Sequence, residues 1–385
     1  MSWFNALLSL GESEMAPPEN LAEIAIGITI DTESSDPVVD RVGKLNLINN
    51  NNNNGAIQAQ IYGVVIDEQN KKYAYLNDDD FSKFADNTPV GYYGNAFVHF
   101  PRIYYYAEEN ENYYTLWISL ERISNRYWEE KYIAVYDAAY EGFGDKFISR
   151  SGRGPLTDMD EYGDESMNSL SSKATLKTVE SHAKLNGSNY GIADYDDYKK
   201  LCALLLAIFP SRRCSSGTLN WGGNSVPAYL RSVPECTFTG KGNSLGKWTG
   251  FVPDLSGKAV ANKLFGIENI VNESGTIFNF TKPRYDFGSD YNIHKMVLGK
   301  EFDLIPYDFG YDWDAIYDVS ASSTTYWCAP WQSNNSEPLP IFGYKTLFGQ
   351  GTGGLGLWSA IKITFEGSLS GYTLVTGSQL NALNS

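Results

Sequence analysis

The chain has 385 residues and a formal net charge of −16, and such an acidic surface repels phosphate backbones and anionic bilayers, which excludes nucleic acid and membranes as expected partners. Glycine (36), tyrosine (27) and tryptophan (9) are abundant, a mix typical of a β-rich protein with long connections. The four cysteines are irregularly spaced and include no C-x-x-C pair, so neither a zinc module nor a disulfide scaffold is expected.

Residues 1–20 are predicted to be an N-terminal anchor segment. The spacing of Trp3, Leu7 and Leu10 suits a short amphipathic helix, and the residues expected to anchor it are Trp3, Phe4, Leu7 and Leu8. Because an exposed apolar terminus is unfavourable in water, we expect it to dock on a partner subunit or carrier protein, or on its own domain. The segment lacks the basic start and long apolar run of a secretory signal. We therefore expect the protein to be made and folded in a cytoplasm.

Residues 21–95 are predicted to form a β-rich N-terminal region. The stretch Ile24–Ile30 alternates strictly between apolar and other residues, which predicts a strand that could lie at a sheet edge. Strand patterns resume at Ile57–Ile66 and Lys72–Leu76. The acidic cluster Asn77–Asp80 is interpreted as a solvated turn rather than a cation site.

A hairpin and a pair of helices are predicted next. The hairpin joins Phe97–Tyr106 to Tyr113–Ser119. The first helix is expected from Ser172 to about Asn186, with Gly187 as its stop. The second is expected from Asp194 to about Ile208, because its apolar residues recur at helical spacing.

The rest of the chain predicts long loops and short strands. Ser211–Lys263 is rich in glycine, serine and proline, which is typical of an ordered loop region that forms a functional surface. Leu264–Phe280 puts a glycine turn beside apolar residues and is interpreted as a core hairpin whose second strand is Thr276–Phe280. Further strands are predicted at Lys295–Leu298, Thr325–Cys328, Leu357–Phe365 and Tyr372–Val375.

Several motifs occur in a recognisable order: Phe97-x-x-Phe-Pro-Arg-Ile-Tyr-Tyr105, Ala139-Tyr-Glu-Gly142, Asn186-Gly-Ser-x-Tyr-Gly-Ile192, Gly266-Ile-Glu-Asn269 and Gly367-Ser-Leu-Ser-Gly-Tyr-Thr-Leu-Val375. This order resembles the C-type-lectin-like domain of phage and prophage surface proteins, the branch related to formylglycine-generating enzymes. The resemblance implies an α+β fold for residues 96–385, in which two helices flank small twisted antiparallel sheets with long ordered loops. It also implies that late aromatic and asparagine side chains bind the ligand.

The residues at which the resemblance implies ligand binding are Tyr326, Trp327, Trp331, Asn334, Asn335, Tyr344 and Trp358. Tyrosine and tryptophan supply a large contact area at low entropic cost, and asparagine supplies adaptable hydrogen bonds. For any single aromatic residue of this set, burial in the core of the domain is the alternative interpretation.

The chain departs from the catalytic and calcium-binding members of this family. It has only Glu337-Pro-Leu339 and no Trp-Asn-Asp motif, so calcium-dependent sugar binding is not expected. No closely spaced cysteine pair occurs near the C-terminus, and His99, His182 and His294 do not have metal-ligand spacing. Carboxylate pairs that could serve a glycosidase are common in acidic loops. We therefore expect no enzyme activity, no metal and no cofactor.

The sequence thus predicts a phage virion surface protein, made in the host bacterial cytoplasm, of the head- or tail-fibre type. It is expected to bind a host-surface glycan or protein, and to bind other virion proteins through its N-terminus. The alternative is a structural decoration or connector protein without receptor binding. A homo-oligomer is expected, with a trimer favoured, because symmetry would hide the apolar N-terminus and turn weak contacts into avidity.

Overall fold

The computed structural model describes residues 16–31, 40–49, 55–67, 73–109, 113–141, 146–153, 181–193, 195–208, 219–221, 224–226, 238–269, 285–287, 293–296, 362–366 and 374–383. The helices whose bounds are described are α1 (Leu21–Ile24), α2 (Tyr195–Ile208) and α3 (Gly377–Leu383). The strands are β1 (Ile26–Asp31), β2 (Asp40–Gly43), β3 (Tyr62–Ile66), β4 (Tyr73–Asn77), β5 (Asp80–Phe84), β6 (Asn95–Phe100), β7 (Ile103–Glu109), β8 (Tyr113–Ser119), β9 (Tyr127–Trp128), β10 (Lys131–Ala134), β11 (Ala139–Tyr140), β12 (Phe147–Ile148), β13 (Tyr190–Ile192), β14 (Leu219–Trp221), β15 (Asn224–Val226), β16 (Gly250–Pro253), β17 (Ala259–Leu264), β18 (Ile267–Glu268), β19 (Tyr285–Phe287), β20 (Ile293–Met296) and β21 (Ile363–Phe365).

One antiparallel sheet has five strands in the order β2-β1-β8-β7-β9. Its β7–β8 hairpin pairs Tyr104 with Ser119, and β1 lies against β8 with Ile28 opposite Leu116. The predicted hairpin ending at Ser119 is therefore confirmed. The prediction that Ile24–Ile30 lies at an edge is wrong, since β1 lies between two strands and its Ile28 is fully buried.

The second sheet has seven strands in the order β13-β21-β10-β6-β3-β4-β5. Every residue of its central strand β6 is buried. The chain leaves β6 at Pro101 and enters β7 of the other sheet, because proline has no N–H with which to continue a ladder. The predicted strand Phe97–Tyr106 is thus two strands in two sheets. The predicted strand Ile57–Ile66 begins only at Tyr62, because Gln58–Gln60 form a 3-10 turn.

The main hydrophobic core lies between the two sheets and encloses α2. Leu201, Leu204, Leu205 and Ile208 of α2 are spaced by three and four residues and are all buried in this core. The second predicted helix is thereby confirmed. None of the helices in the described part of the chain is long and apolar enough to cross a membrane.

The predicted α+β C-type-lectin-like fold is wrong. Antiparallel sheets dominate the described residues, and α2 is enclosed between two of them instead of flanking a small sheet with a second helix. Of the first predicted helix, Ser172–Asn186, the structure describes only the end, where residues 181–184 are helical. Helical periodicity in the sequence predicted α2 itself, but the surfaces that cover α2 come from strands distant along the chain.

Strands from both sides of residue 95 share each large sheet, as β1 pairs with β8 and β3 pairs with β6. The predicted division into residues 21–95 and 96–385 stays a prediction. A smaller sheet, β16-β17-β18, packs beyond the β4–β5 turn. The prediction that Ser211–Lys263 is a loop region is corrected, because β14, β15 and β16 lie within it and β17 begins there.

The C-terminal helix α3 is held by one carboxylate on the loop after β5. Asp86 Oδ2 accepts a hydrogen bond from the backbone N–H of Ser378 at 2.9 Å. Asp86 Oδ1 accepts from Thr88 Oγ1 at 2.6 Å and from the Thr88 backbone N–H at 3.0 Å. The Thr88 hydroxyl and these N–H groups stabilise the carboxylate and lower the pKa of Asp86 to about 2.

We expect α3 to loosen as the pH falls from about 4 to about 2. A carboxylate whose pKa is lower in the folded state than its unfolded value of about 3.9 stabilises the fold above that value, and this contribution is lost as the pH falls through the folded pKa. Hydrogen exchange of the α3 amides between pH 5 and pH 2 measures the effect. The matched control is Asp86→Asn, in which exchange in α3 should be faster at pH 5 and should lack this acid-dependent increase. Identical pH profiles for the two proteins would contradict the assignment.

Candidate functional site

A tight hairpin between β17 and β18 starts the candidate site. Leu264 pairs with Ile267, so the loop has only two residues, Phe265 and Gly266, with φ angles of 50° and 87°. Positive φ at both positions is the type I′ geometry that matches strand twist. A Cβ on Gly266 would lie 2.9 Å from the ring of Phe81. The glycine turn predicted here is confirmed, and it lets β18 run back antiparallel to β17.

Four ionisable side chains meet behind this hairpin, and we call them the ion cluster: Asp137, Lys263, Glu268 and Lys362. Asp137 follows β10, Lys263 ends near the tip of β17, Glu268 lies in β18 and Lys362 precedes β21. All four are buried, with Asp137 exposed by only 3% and the others by none of their surface. Buried charges are costly unless they are paired and hydrogen-bonded, so the contacts of each member matter.

Lys362 and Glu268 join the ion cluster to the sheets. Lys362 Nζ lies 2.6 Å from Asp137 Oδ1 and donates to the backbone oxygen of Glu268 at 2.7 Å. The Glu268 carboxylate accepts backbone hydrogen bonds from Gly240 at 2.7 Å and Gly242 at 3.2 Å. Cations, carboxylates and backbone groups from separate elements therefore stabilise one another in a dry interior.

Burial changes the titration of the cluster. Lys263 Nζ donates to the backbone oxygen of Gly246 at 3.1 Å and lies 4.2 Å from the centre of the Phe81 ring. Loss of hydration lowers the pKa of Lys263 to about 7, and it raises the pKa of Glu268 despite the nearby Lys263 charge. Both shifts favour neutral forms, which is the expected response of charges removed from water.

Asn269 lies directly beside the cluster. Its Nδ2 approaches Asp137 Oδ2 at 3.4 Å, its backbone N–H donates to Asn262 at 2.8 Å, and its φ angle is 57°. Asn269 Oδ1 is buried and has no hydrogen-bond partner among the described residues, whereas Asp137 Oδ1 forms an ion pair with Lys362 Nζ at 2.6 Å.

The ion cluster lies where one long stretch of chain leaves and rejoins the described sheets. The chain departs after Asn269 and returns at Lys362, and within residues 270–361 the structure describes only β19 and β20. The backbone on both sides is fixed, because the Glu268 N–H donates to Val135 at 2.7 Å and the Ala193 N–H donates to Lys362 at 2.8 Å. We call residues 270–361 the central segment, and the ion cluster joins its two ends.

The predicted binding residues all belong to the central segment and lie outside the described residues: Tyr326, Trp327, Trp331, Asn334, Asn335, Tyr344 and Trp358. The predicted anchor residues Trp3, Phe4, Leu7 and Leu8 and the predicted strand Thr276–Phe280 also lie outside them. Within the described stretches, no group of three or more histidine, cysteine or acidic side chains could hold a metal ion.

A partly exposed aromatic cluster lies on the seven-stranded sheet, on the face away from the main core, and we call it the tyrosine face: Tyr62, Tyr73, Tyr75 and the buried His99. The Tyr62 ring stacks on His99 with centroids 4.4 Å apart and meets Tyr75 edge-on at 5.2 Å. Tyr75 is 40% exposed. His99 is held by the backbone oxygen of Gln60 at 2.8 Å. The exposed Tyr75 ring suits contact with a ligand.

The ion cluster was not predicted from the sequence, although a signal was present. Lys362 lies between Ile361 and Ile363, whereas Lys263 and Glu268 each have one apolar neighbour, Leu264 and Ile267. A lysine or glutamate on the buried face of a strand is rare unless it is paired. Asp137 carries no comparable pattern, so its participation follows only from the fold.

Comparison with known proteins found no matching family model, curated protein or solved structure. The ion cluster and the tyrosine face are therefore interpreted from their own chemistry.

Proposed function

We propose that this protein is a non-catalytic adhesion protein of a phage virion, in which the described sheets hold both ends of the central segment and the central segment binds a host-surface glycan or protein. The observation that carries this proposal is the position of the ion cluster, which fixes both ends of the central segment to the core. A long segment rich in tyrosine, tryptophan and asparagine binds best when its ends are held rigidly, because less entropy is lost on binding.

The ion cluster fits a structural role better than a catalytic one. Its charged atoms are directed at one another and at backbone groups, as when Glu268 accepts from Gly240 and Gly242. Each member is buried, whereas a substrate would need access to the reacting groups. The tyrosine face adds the exposed ring of Tyr75 on the same sheet that contains β21.

The alternative is a structural connector that buries its aromatic residues against neighbouring virion subunits. Exposed apolar side chains near the N-terminal end of the described chain favour it: Val42 is 39% and Leu45 is 48% exposed. Contact with a neighbouring subunit would remove these two side chains from water. The two functions differ in whether the purified protein binds cells.

The test is binding of the purified, labelled protein to a panel of bacterial cells and to immobilised bacterial polysaccharides. We expect binding that falls at least about tenfold in Trp327→Ala or Trp331→Ala, since truncating an aromatic hot spot costs about 2 kcal/mol or more. Leu255→Ala is the matched control, because Leu255 is fully exposed on the turn between β16 and β17. Absence of binding to every surface in the panel, with assembly onto particles retained, would favour the connector.

The placement on a virion, the anchoring by Trp3, Phe4, Leu7 and Leu8, and the trimer stay predictions from the sequence. Imaging of particles that carry the labelled protein tests the placement. Sedimentation of the purified protein tests the trimer, and a stable monomer would contradict it.

A further inference from the structure

Three buried side chains with complementary reactive groups lie beside the two ends of the central segment. Lys362 supplies an amine, Asn269 supplies a carboxamide and Asp137 supplies a carboxyl group between them. Asp137 Oδ1 lies 2.6 Å from Lys362 Nζ, and Asp137 Oδ2 lies 3.4 Å from Asn269 Nδ2. Lys362 Nζ also contacts the backbone oxygen of Glu268, the residue next to Asn269. One carboxyl group thus bridges an amine and an amide that the fold has brought together.

The three side chains are shielded from solvent. Lys362 has no exposed surface, and Asp137 and Asn269 are exposed by 3% and 7%. Asn269 Oδ1 is buried without a hydrogen-bond partner among the described residues, a condition that calls for a chemical explanation. Burial raises the pKa of Asp137, although Lys362 opposes the shift. Asp137 Oδ1, 2.6 Å from Lys362 Nζ, is the atom placed to take a proton from that amine.

We propose that the side chains of Lys362 and Asn269 become joined by an amide bond, with Asp137 carrying the protons. Asp137 Oδ1 takes a proton from Nζ, and the amine then attacks Cγ of Asn269, whose carbonyl oxygen carries the negative charge of the intermediate. The Asp137 carboxyl group gives its proton to Nδ2 and takes a second proton from Nζ. The Cγ–Nδ2 bond breaks, ammonia leaves, and the carbonyl group forms again. One N–C bond forms, one breaks, and no oxidant or cofactor is consumed.

Asp137 is assigned as the proton carrier because its two oxygens face the two nitrogens that exchange protons. Condensation of the Asp137 carboxyl group itself with Lys362 would release water instead of ammonia. The two products would therefore differ in mass and in the residue that is linked to Lys362. The positive φ of Asn269 is a conformation that asparagine and aspartate tolerate better than other side chains. Aspartate can therefore replace Asn269 without a change of backbone.

The bond would close the central segment into a covalent loop. Its two ends already meet at the ion cluster, and a side-chain amide would keep them together under force or partial unfolding, as a disulfide does in oxidising compartments. A lysine–asparagine bond needs no oxidising environment, which suits a protein expected to fold in a cytoplasm. The bond does not depend on the adhesion function, since it would serve a connector equally well.

The test is the intact mass of the denatured full-length protein, followed by tandem mass spectrometry of its proteolytic peptides. We expect a mass lower than the sequence mass by one ammonia, and a linked peptide pair that contains Lys362 and Asn269. Lys362→Arg and Asn269→Ala should each show the full sequence mass, because arginine stays charged and alanine has no acyl group. Asn269→Asp should lose water instead and reach the same final mass as the wild type.

Asp137→Ala should keep the full sequence mass while remaining folded by circular dichroism. If that variant does not fold, Lys362→Arg and Asn269→Asp still decide the matter, because both keep a polar side chain at the site. A wild-type protein at its full sequence mass would overturn the proposal. Loss of water with Lys362 linked to Asp137 would overturn the assigned roles. Neither result depends on cell binding, so failure here is distinct from failure of the adhesion function.

Discussion

Replacing Lys131 with methionine is expected to lower the free energy of unfolding by about 3 to 5 kcal/mol. Lys131 Nζ lies 2.9 Å from Asp197 Oδ2 and 3.1 Å from Glu366 Oε1, and it ties α2 to the middle of the seven-stranded sheet. The Lys131 and Asp197 side chains are 7% and 3% exposed. Without the Lys131 cation, the buried Asp197 carboxylate loses the positive charge that compensates for its burial. Urea denaturation followed by circular dichroism measures the loss.

The matched control is the same substitution at an exposed ion pair. Lys44 Nζ lies 3.7 Å from Glu121, with side chains 34% and 60% exposed, so Lys44→Met should cost at most about 1 kcal/mol. In the double variant of Lys131→Met with Asp197→Asn, the second change should cost less than it does alone, because the charge it removes has already lost its partner. Equal losses for Lys131→Met and Lys44→Met would show that the buried pair does not stabilise the fold.

Replacing Gly246 with alanine is expected to lower the free energy of unfolding by about 2 to 5 kcal/mol, the sum of backbone strain and overpacking. Gly246 has φ 53° and ψ −128°, and a Cβ there would overlap the carbonyl of Asp78. The close approach is needed because the Lys247 N–H donates to that carbonyl at 2.9 Å and Lys247 Nζ pairs with the Asp78 carboxylate at 2.8 Å. Alanine would separate the β16–β18 sheet from the β4–β5 turn.

Gly257→Ala separates the two causes. Gly257 has φ 83°, but no atom lies within 4 Å of the position its Cβ would take. Its substitution therefore introduces backbone strain alone, about 1 to 2 kcal/mol. If thermal or urea unfolding shows equal losses at the two glycines, the contact with Asp78 is not what requires glycine at position 246.

Several elements could be predicted because their signals are local. The spacing of Leu201, Leu204, Leu205 and Ile208 predicted α2, and the Phe265–Gly266 pair predicted a glycine turn before any fold was known. Strand periodicity predicted β4 and the β7–β8 hairpin for the same reason. The motif order from Phe97 to Val375 suggested a family whose fold the structure contradicts, because short motifs record local sequence and not which strands become neighbours.

The candidate site depended on contacts that no local pattern specifies. Asp137, Glu268 and Lys362 are distant along the chain, and they meet because β10 pairs with β21 while β18 hydrogen-bonds to the chain just after β10. The sequence showed lysines and a glutamate next to apolar residues, but not their partners.

By itself, the sequence determined the β-rich character, the position of α2, the β17–β18 turn and the acidic surface, because each of these follows from neighbouring residues or from a sum over all of them. Only the tertiary structure decided that α2 is enclosed by two sheets, that β1 is interior, and that Asn269 and Lys362 meet at one buried carboxyl group. Pairing between distant strands is selected by the packing of the whole core, so its consequences for chemistry emerge only once the chain is folded.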